Sequence, residues 1–514
     1  MKKSQIVRTL SLALLTLFVN GSVACGQGNR LGTIYFPTSG SSAAQPHFVR
    51  GVLFLHSFEY DSAATEFRKA QHEDPNFAMA YWGEAMTYTH PVWNEQDLNA
   101  AKAALARLGT SAQERRAKAK TPREAAYLNA VEILYGNGTK QHRDTVYSAA
   151  MQRLSARYPS DVEARAFYAL SLLGLNQGVR DVPTYLRAGK IAEDIFNKYP
   201  DHPGAAHYLI HSYDDPAHAA LGLKAARAYS KIAPGAAHAQ HMTTHIFMAL
   251  GMWDEVASQN EIASGHNHDM WKPGHYTMWL NYAYLQQGRY DEALHMLETL
   301  RRGPAGAVRP NWGFKGQYLI DTDQWNGEVA KWDAGSQPTD PGDRAYWTFI
   351  QGYGAAKIGD QDGAAKELIE LSRMNAAAGT KVDPIDAIHE MELKALIKLA
   401  QGSNDEAVSL MRAATAREDA MPFDFGPPVV TKPSHEMFGE ILLQLKRPKE
   451  ARDEFERALR LAPRRTRSML GLARASSAMG DKAKARETYS TIQSIWHSAD
   501  PAQRALPELG TLAK

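Results

Sequence analysis

Eleven of the nineteen histidines in this chain fall between His202 and His295. Two runs in that window have spacing that bears on chemistry. His207 and His211 stand four apart and are followed by Asp214, Asp215 and Pro216. His238, His241 and His245 stand three and then four apart. At about 100° per residue, each set lies on one face of an α-helix. Zn–N bonds of about 2.0–2.1 Å bring two ligating nitrogens within about 4 Å, a span that histidines four apart on a helix can meet. His238 and His245 are seven apart, about 10.5 Å along the axis, and do not suit one ion. The most economical metal set takes His207 and His211 from one helix and His241 and His245 from the next. His238, Asp214 and His275 are then further ligands or groups that orient the ligands. All-imidazole ligation without cysteine suits Zn, Cu, Ni or Fe, and an added carboxylate favours Fe or a catalytic Zn with an open position. The expected cofactor is therefore a divalent transition metal, Zn, Cu or Fe. The bland alternative stays open: histidines can line a polar groove by bonding one another, or stack on a bound peptide.

The remaining histidines carry less. His266 and His268, with His275, flank Trp271, Lys272 and Pro273 and read as surface residues, with the alternative that a loop beside the groove contributes a ligand. His90, near Trp82, Met86 and Trp93, reads as core or groove lining. His389-Glu390 and His435-Glu436 lack the second histidine of a zinc-protease helix. Glu436 and Glu440 read as exposed charge. Asp215 is expected to cap a second helix with Pro216 at its first position.

Other chemistries are absent. There is no GxxxxGK[ST], no GxGxxG after a strand and no GxSxG elbow, which argues against nucleotide-dependent and Ser-triad enzymes. Lys+Arg 58 against Asp+Glu 56 gives a formal charge of +2, with no basic footprint for nucleic acid. The one cysteine, Cys25, excludes internal disulfides and Cys-rich zinc modules.

The elements that would position the histidines repeat along the chain. Gly251-Met252-Trp253-Asp254-Glu255-Val256 recurs as Gly288-Arg289-Tyr290-Asp291-Glu292-Ala293, and loosely from Phe58 and from Gly402. Pro200 and Pro234 end helical runs 34 residues apart. A glycine ending one amphipathic helix, an aromatic in the turn and a small residue in the next helix describe a helix hairpin. This period and pattern resemble the tetratricopeptide repeat (TPR) family over nearly the whole chain. Units are expected to begin near Ala44, Ala78, Leu128, Val162, Pro203, Ala237, Gly274, Ala345, Ile388, Lys432 and Thr466, with an extra loop from Asn176 to Val182. The resemblance implies an all-α solenoid of helix pairs in a right-handed superhelix, about nine to eleven repeats, because no unit buries its own apolar face alone. It also implies that the second, fifth, ninth, twelfth and thirteenth places of each first helix line a concave groove. His207, His211, Asp214 and Asp215 take such places, as do His238, His241 and His245, and His275, Met278 and Tyr282. Residues 77–86 (FAMAYWGEAM), 211–216 (HSYDDP) and 425–428 (FGPP) resemble a group of exported bacterial TPR proteins.

The start of the chain reads as an address. Lys2, Lys3 and Arg8 precede an apolar run from Leu10 to Val19, too short to span about 30 Å of hydrocarbon. Ser22-Val23-Ala24-Cys25 follows, read either as ordinary signal cleavage after Ala24 or as a lipoprotein signal with Cys25 lipidated. The expected organisation is a signal peptide at 1–24, a tether at 25–43, an N-terminal TPR block at 44–307, an irregular Trp/Gly/Pro insert at 308–343 and a C-terminal TPR block at 344–514. A second irregular stretch lies at 421–433. Each irregular stretch is either packed back on the array or a lid over the groove. The expected location is the bacterial periplasm or outer membrane, touching membrane only through a lipid on Cys25. Three functions fit: an exported TPR scaffold with a peptide or protein partner in the groove and a His-rich metal site, a metal-dependent hydrolase or oxidoreductase, or a metal-free scaffold.

Overall fold

The computed structural model describes residues 30–176, 179–266, 274–302, 312–332 and 338–511. The expected signal segment, Cys25, His268 and the Trp271-Lys272-Pro273 stretch lie outside the described residues. Among those described, the chain is 27 α-helical segments and one two-residue strand pair, Thr89–His90 with Glu95–Gln96. None of these helices is long and apolar enough to cross a membrane.

Helix pairs follow one another along the whole array. First helices begin at Ala44, Ala78, Pro122, Val162, Pro203, Ala237, His275, Trp312, Pro341, Pro384, Ser434 and Thr466, twelve in all. Most coincide with the repeat register within a residue or two. Three begin four to six residues earlier than the register placed them, at Pro122, Pro341 and Pro384. In each the preceding Thr121, Asp340 or Asp383 caps the helix by accepting a backbone N–H, and proline supplies the first turn. Cap and proline set the start, whereas apolar spacing reports only the buried stretch. Nearly every helix packs on the next, and each first helix also meets the first helix of a neighbouring unit, as Pro203–Tyr213 meets both Val162–Leu173 and Ala237–Ala249.

The insert at 308–343 is less irregular than expected. Its described part holds the helix Trp312–Thr322, which packs between His275–Gln286 and Pro341–Ile358 as a further first helix. Trp312 and Trp325 are buried against Trp347 and Tyr353. The described part of the expected tether, 30–43, is also packed: Leu31 and Phe36 are buried, and Thr33 N–H bonds the carbonyl of Asp201.

The array closes on itself. Its first unit reaches the fifth and sixth: Tyr229 donates to Ser57 Oγ, and Glu59 accepts from the backbone N–H of His238. Its last units reach the sixth and seventh: Trp253 Nε1 donates to the Arg464 carbonyl and Trp496 Nε1 to that of Gln286. Gly204 shows how close the first contact is, since a Cβ there would lie 2.3 Å from the His56 ring. The concave face in the middle of the array is thus filled by other parts of the same chain. Every residue of Pro203–Tyr213 is buried.

Candidate metal centre

The helix Pro203–Tyr213 starts with proline at its first position and with His202 accepting the Ala205 N–H. Ala237–Ala249 has no side-chain cap of its own, so the Glu59 carboxylate serves it from across the array, where the helix dipole favours a negative charge. These two helices and His275–Gln286 bring six imidazoles together. Ring centroids lie 4.9 Å apart for His207 and His211, 5.0 Å for His207 and His238, 5.2 Å for His241 and His245, and 4.5 Å for His241 and His275. The ligand atoms of His207, His211 and His238 lie within 4.8 Å of one another, and so do those of His241, His245 and His275. The sequence-derived quartet does not form one such set: its two helical pairs fall in separate triads, each joined by a histidine that had been given a secondary role, and His211 and His245 also form a set with Asp214.

The hydrogen bonds decide which nitrogens are free. His207 Nδ1 donates to the carbonyl oxygen of His56 at 2.7 Å. His241 Nδ1 donates to Asn260 Oδ1 at 2.7 Å, and His245 Nδ1 to Asp214 Oδ2 at 3.1 Å. His211 Nδ1 lies 3.5 Å from the same Asp214 oxygen, and His238 Nδ1 bonds the Tyr276 hydroxyl at 3.2 Å. Carbonyl, amide and carboxylate oxygens only accept, so in His207, His241 and His245 the proton sits on Nδ1 and the Nε2 lone pair is left bare. The Nε2 atoms of His207, His211, His238, His241 and His245 are all buried without a hydrogen-bond partner. Burial first, and neighbouring imidazoles second, hold His207, His238 and His241 well below the ordinary imidazole pKa, so they are neutral at pH 7. Burial also lowers His245, against the pull of Asp214. His275, at the exposed end of its helix, is lowered to about 4 by desolvation and by His245 and His211.

Burial alone would raise the Asp214 carboxyl; the Arg180 guanidinium, 2.5 Å away, and the bonds from His211 and His245 hold it well below the usual range. Arg180 also pairs with Asp215 at 3.0 Å. Asp215 accepts the N–H groups of Ala217 and His218, but the second helix begins only at Ala219, so Pro216 sits in the preceding turn. Aromatic rings wall the cluster. Phe58 lies 4.2 Å from His207, Tyr276 stacks on His241 at 4.4 Å, and Trp279 lies 4.5 Å from His245. From the 421–433 segment, Phe425 packs 4.7 Å from His245. Gly426 turns there at φ +114°, where a Cβ would strike Trp279. Behind that segment is a cavity of about 160 Å³ that reaches Asp214 and His245 at one end. Glu418 lines it, its carboxyl pushed up to about 7 by burial.

A separate cluster shows the contrast. His56, Glu163 and His202 also lie within ligand range of one another. There, however, His56 bonds Tyr208 and Glu163, and His202 bonds Glu163 and the Ala205 N–H. No ring nitrogen is left over, so this cluster is a structural network. Of the other residues singled out from sequence, Met278 is 48% exposed, and Tyr282 is buried with its hydroxyl accepting from Arg465. His90 is half-buried and stacks on Tyr60. Glu436 is not exposed charge. It is fully buried and pairs with Lys432 on the segment before its own helix and with Arg465 at the start of the next unit. The orienting groups Arg180, Asn260 and the His56 carbonyl carried no sequence signal, since a polar residue at a helical or loop position is ordinarily solvated.

The tetratricopeptide repeat family model matches residues 442–506, and the same helix-pair unit recurs through the described chain. The fold is thus an all-α, TPR-type helix-pair array. Among solved structures, the crystal structure of yeast Tom70 is similar at 14% identity, covering 91% of this chain and 95% of its own, with a TM-score of 0.27. No curated protein matches the chain.

Proposed function

We propose that this chain is an exported TPR-type protein that holds a transition metal in the His-rich centre of its array. One observation carries the reading. Five buried imidazoles leave Nε2 without a partner, and in His207, His241 and His245 an acceptor holds the proton on Nδ1. A buried polar atom without a partner costs about 1–3 kcal/mol, so five of them in one place call for a shared partner. An electron-pair acceptor suits them all, and orienting bonds on the far nitrogen are the usual support of ligating histidine. The three-imidazole sets suit Zn, Cu or Fe. A peptide stacked on these rings is disfavoured, because the chain's own Phe58, Trp279 and Phe425 already cover them. The TPR-type surface away from this centre remains suited to a peptide or protein partner, as the repeat type suggests.

An enzymatic use of the ion is the second reading. It is favoured by the cavity at His245, with room for about five waters at about 30 Å³ each, and by the neutral-range carboxyl of Glu418 on its wall. Export rests on the basic start, the short apolar run and Ser22-Val23-Ala24-Cys25. Mass spectrometry of the native N-terminus tests it, and an intact Met1 overturns it.

The metal is tested by elemental analysis of untagged protein from its native source. At least one transition ion per chain is expected. His241→Ala should weaken binding by more than the about 10–100-fold typical of losing an orienting partner. His295→Ala, at an exposed position, should change nothing. Metal-free native protein that also fails to bind added ions overturns the reading.

A further inference from the structure

Six imidazoles exceed what one tetrahedral ion can take, and their arrangement is not that of a single shell. The two triads are copies of one another in sequence. Each consists of two histidines four apart on one first helix plus one histidine from the start of the next. His207 and His211 on Pro203–Tyr213 are joined by His238 near the start of Ala237–Ala249. His241 and His245 on Ala237–Ala249 are joined by His275 at the start of His275–Gln286. His241 follows His207 by 34 residues, as His245 follows His211, and that is the spacing of Pro200 and Pro234. His275 follows His238 by 37, which is also the spacing of Gly251 and Gly288 in the same unit. The ligand pattern therefore travels with the repeat. A solenoid that stacks one unit on the next stacks the ligand set as well.

The copies touch. His211 of the first triad and His245 of the second have ring centroids 5.5 Å apart, and both turn Nδ1 to the same oxygen of Asp214. His238 and His241 lie 6.3 Å apart. Asp214 is tied in turn to Arg180 and cannot swing away from either ring without breaking that ion pair. One carboxylate thus fixes the facing edges of both triads.

From this repetition we infer a dinuclear centre: two transition ions side by side, one held by His207, His211 and His238, the other by His241, His245 and His275, with Asp214 as the common positioning residue. The inference rests on the metal reading above and deepens it from a site to a pair. Three imidazoles per ion leave an open position on each. Two-metal sites keep their ions about 3.5–4 Å apart, close enough for one small ligand to bridge the open positions, and the cavity at His245 gives such a ligand room.

Copper is the probe, because it stands at the top of the divalent affinity order and accepts imidazole. Untagged metal-free protein is loaded with Cu²⁺, passed over a desalting column and assayed for copper per chain. The spin-counted electron paramagnetic resonance of the same sample is then recorded. The expected result is two copper ions per chain with a spin count well below two, because neighbouring Cu²⁺ ions couple. His238→Ala and His275→Ala should each retain one ion and regain a full spin count for it. His207→Ala/His241→Ala should retain none, since the His56–Glu163–His202 cluster has no nitrogen to spare. Circular dichroism of each variant confirms that the helices persist. One copper per chain in the parent protein overturns the pair and leaves the metal site standing. Two copper ions with a full spin count overturn their adjacency. No copper overturns the pair and the metal reading together.

Discussion

Asn260 offers the sharpest test of why the imidazoles are arranged as they are. It lies on the helix Trp253–His266, fully buried, with Oδ1 accepting from His241 Nδ1 at 2.7 Å and Nδ2 donating to Thr244 Oγ1. Asn260→Leu keeps the bulk and removes the acceptor. The His241 Nδ1–H is then buried without a partner, which costs the metal-free protein about 1–3 kcal/mol. The ring is also released to carry its proton on Nε2, the atom that must face the ion. Metal affinity should fall about 10–100-fold, equivalent to about 1.4–2.8 kcal/mol. Asn260→Asp destabilises for a different reason, since it buries a carboxylate, but it still accepts from Nδ1 and raises the basicity of Nε2. Its metal affinity should match or exceed that of the parent. Competition against a chromogenic chelator at pH 7.5 measures affinity, and urea unfolding of the metal-free proteins measures stability. A merely structural Asn260 gives two destabilised variants with no split in affinity. Asn260→Leu binding metal as tightly as the parent, or Asn260→Asp losing as much as Asn260→Leu, would refute the reasoning.

Two further expectations follow from groups outside the centre. His389 is buried, stacked 4.0 Å from Phe349 with neither ring nitrogen bonded, and burial lowers it to about 3. A folded pKa below the unfolded value of about 6.5 means that stability is complete above pH 6.5 and is lost as pH falls toward 3. Between pH 7 and 5 the parent should lose about 2 kcal/mol more than His389→Leu in urea unfolding, and equal losses would show that His389 is solvated. Arg465 bridges Glu436 and Asp321 where the last units meet the eighth. Arg465→Met leaves two carboxylates short of a partner and should cost about 3–5 kcal/mol, whereas Arg465→Met/Glu436→Leu should recover part of it; a double variant worse than the sum of the singles contradicts this account.

The parts of this protein that were legible in the sequence are the local ones. A helix hairpin is set by residues within about 34 positions: an apolar stripe, a glycine at the turn, a cap or proline at the start. The units beginning at Ala44, Ala78, Val162, Pro203, Ala237 and Thr466 could therefore be placed from sequence, as could the common face of His207 with His211 and of His241 with His245. The parts that only the tertiary structure decided depend on residues far apart in the chain. The closing of the array brings His56 to His207 across 151 positions and Thr466 to Gln286 across 180. That closure turns an expected open groove into a buried centre and packs residues 30–43 against the array, while the stacking of one unit on the next makes Glu436 a buried ion rather than a solvated one. It also decides which imidazoles come within ligand range: His207 and His211 with His238, His241 and His245 with His275, and His211 with His245 at Asp214. Helical periodicity gives the direction of each side chain from its own axis. How far one helix is rotated and raised against the next is fixed by packing, and a shift of one turn, about 5.4 Å, exceeds the reach within which two imidazoles can share an ion.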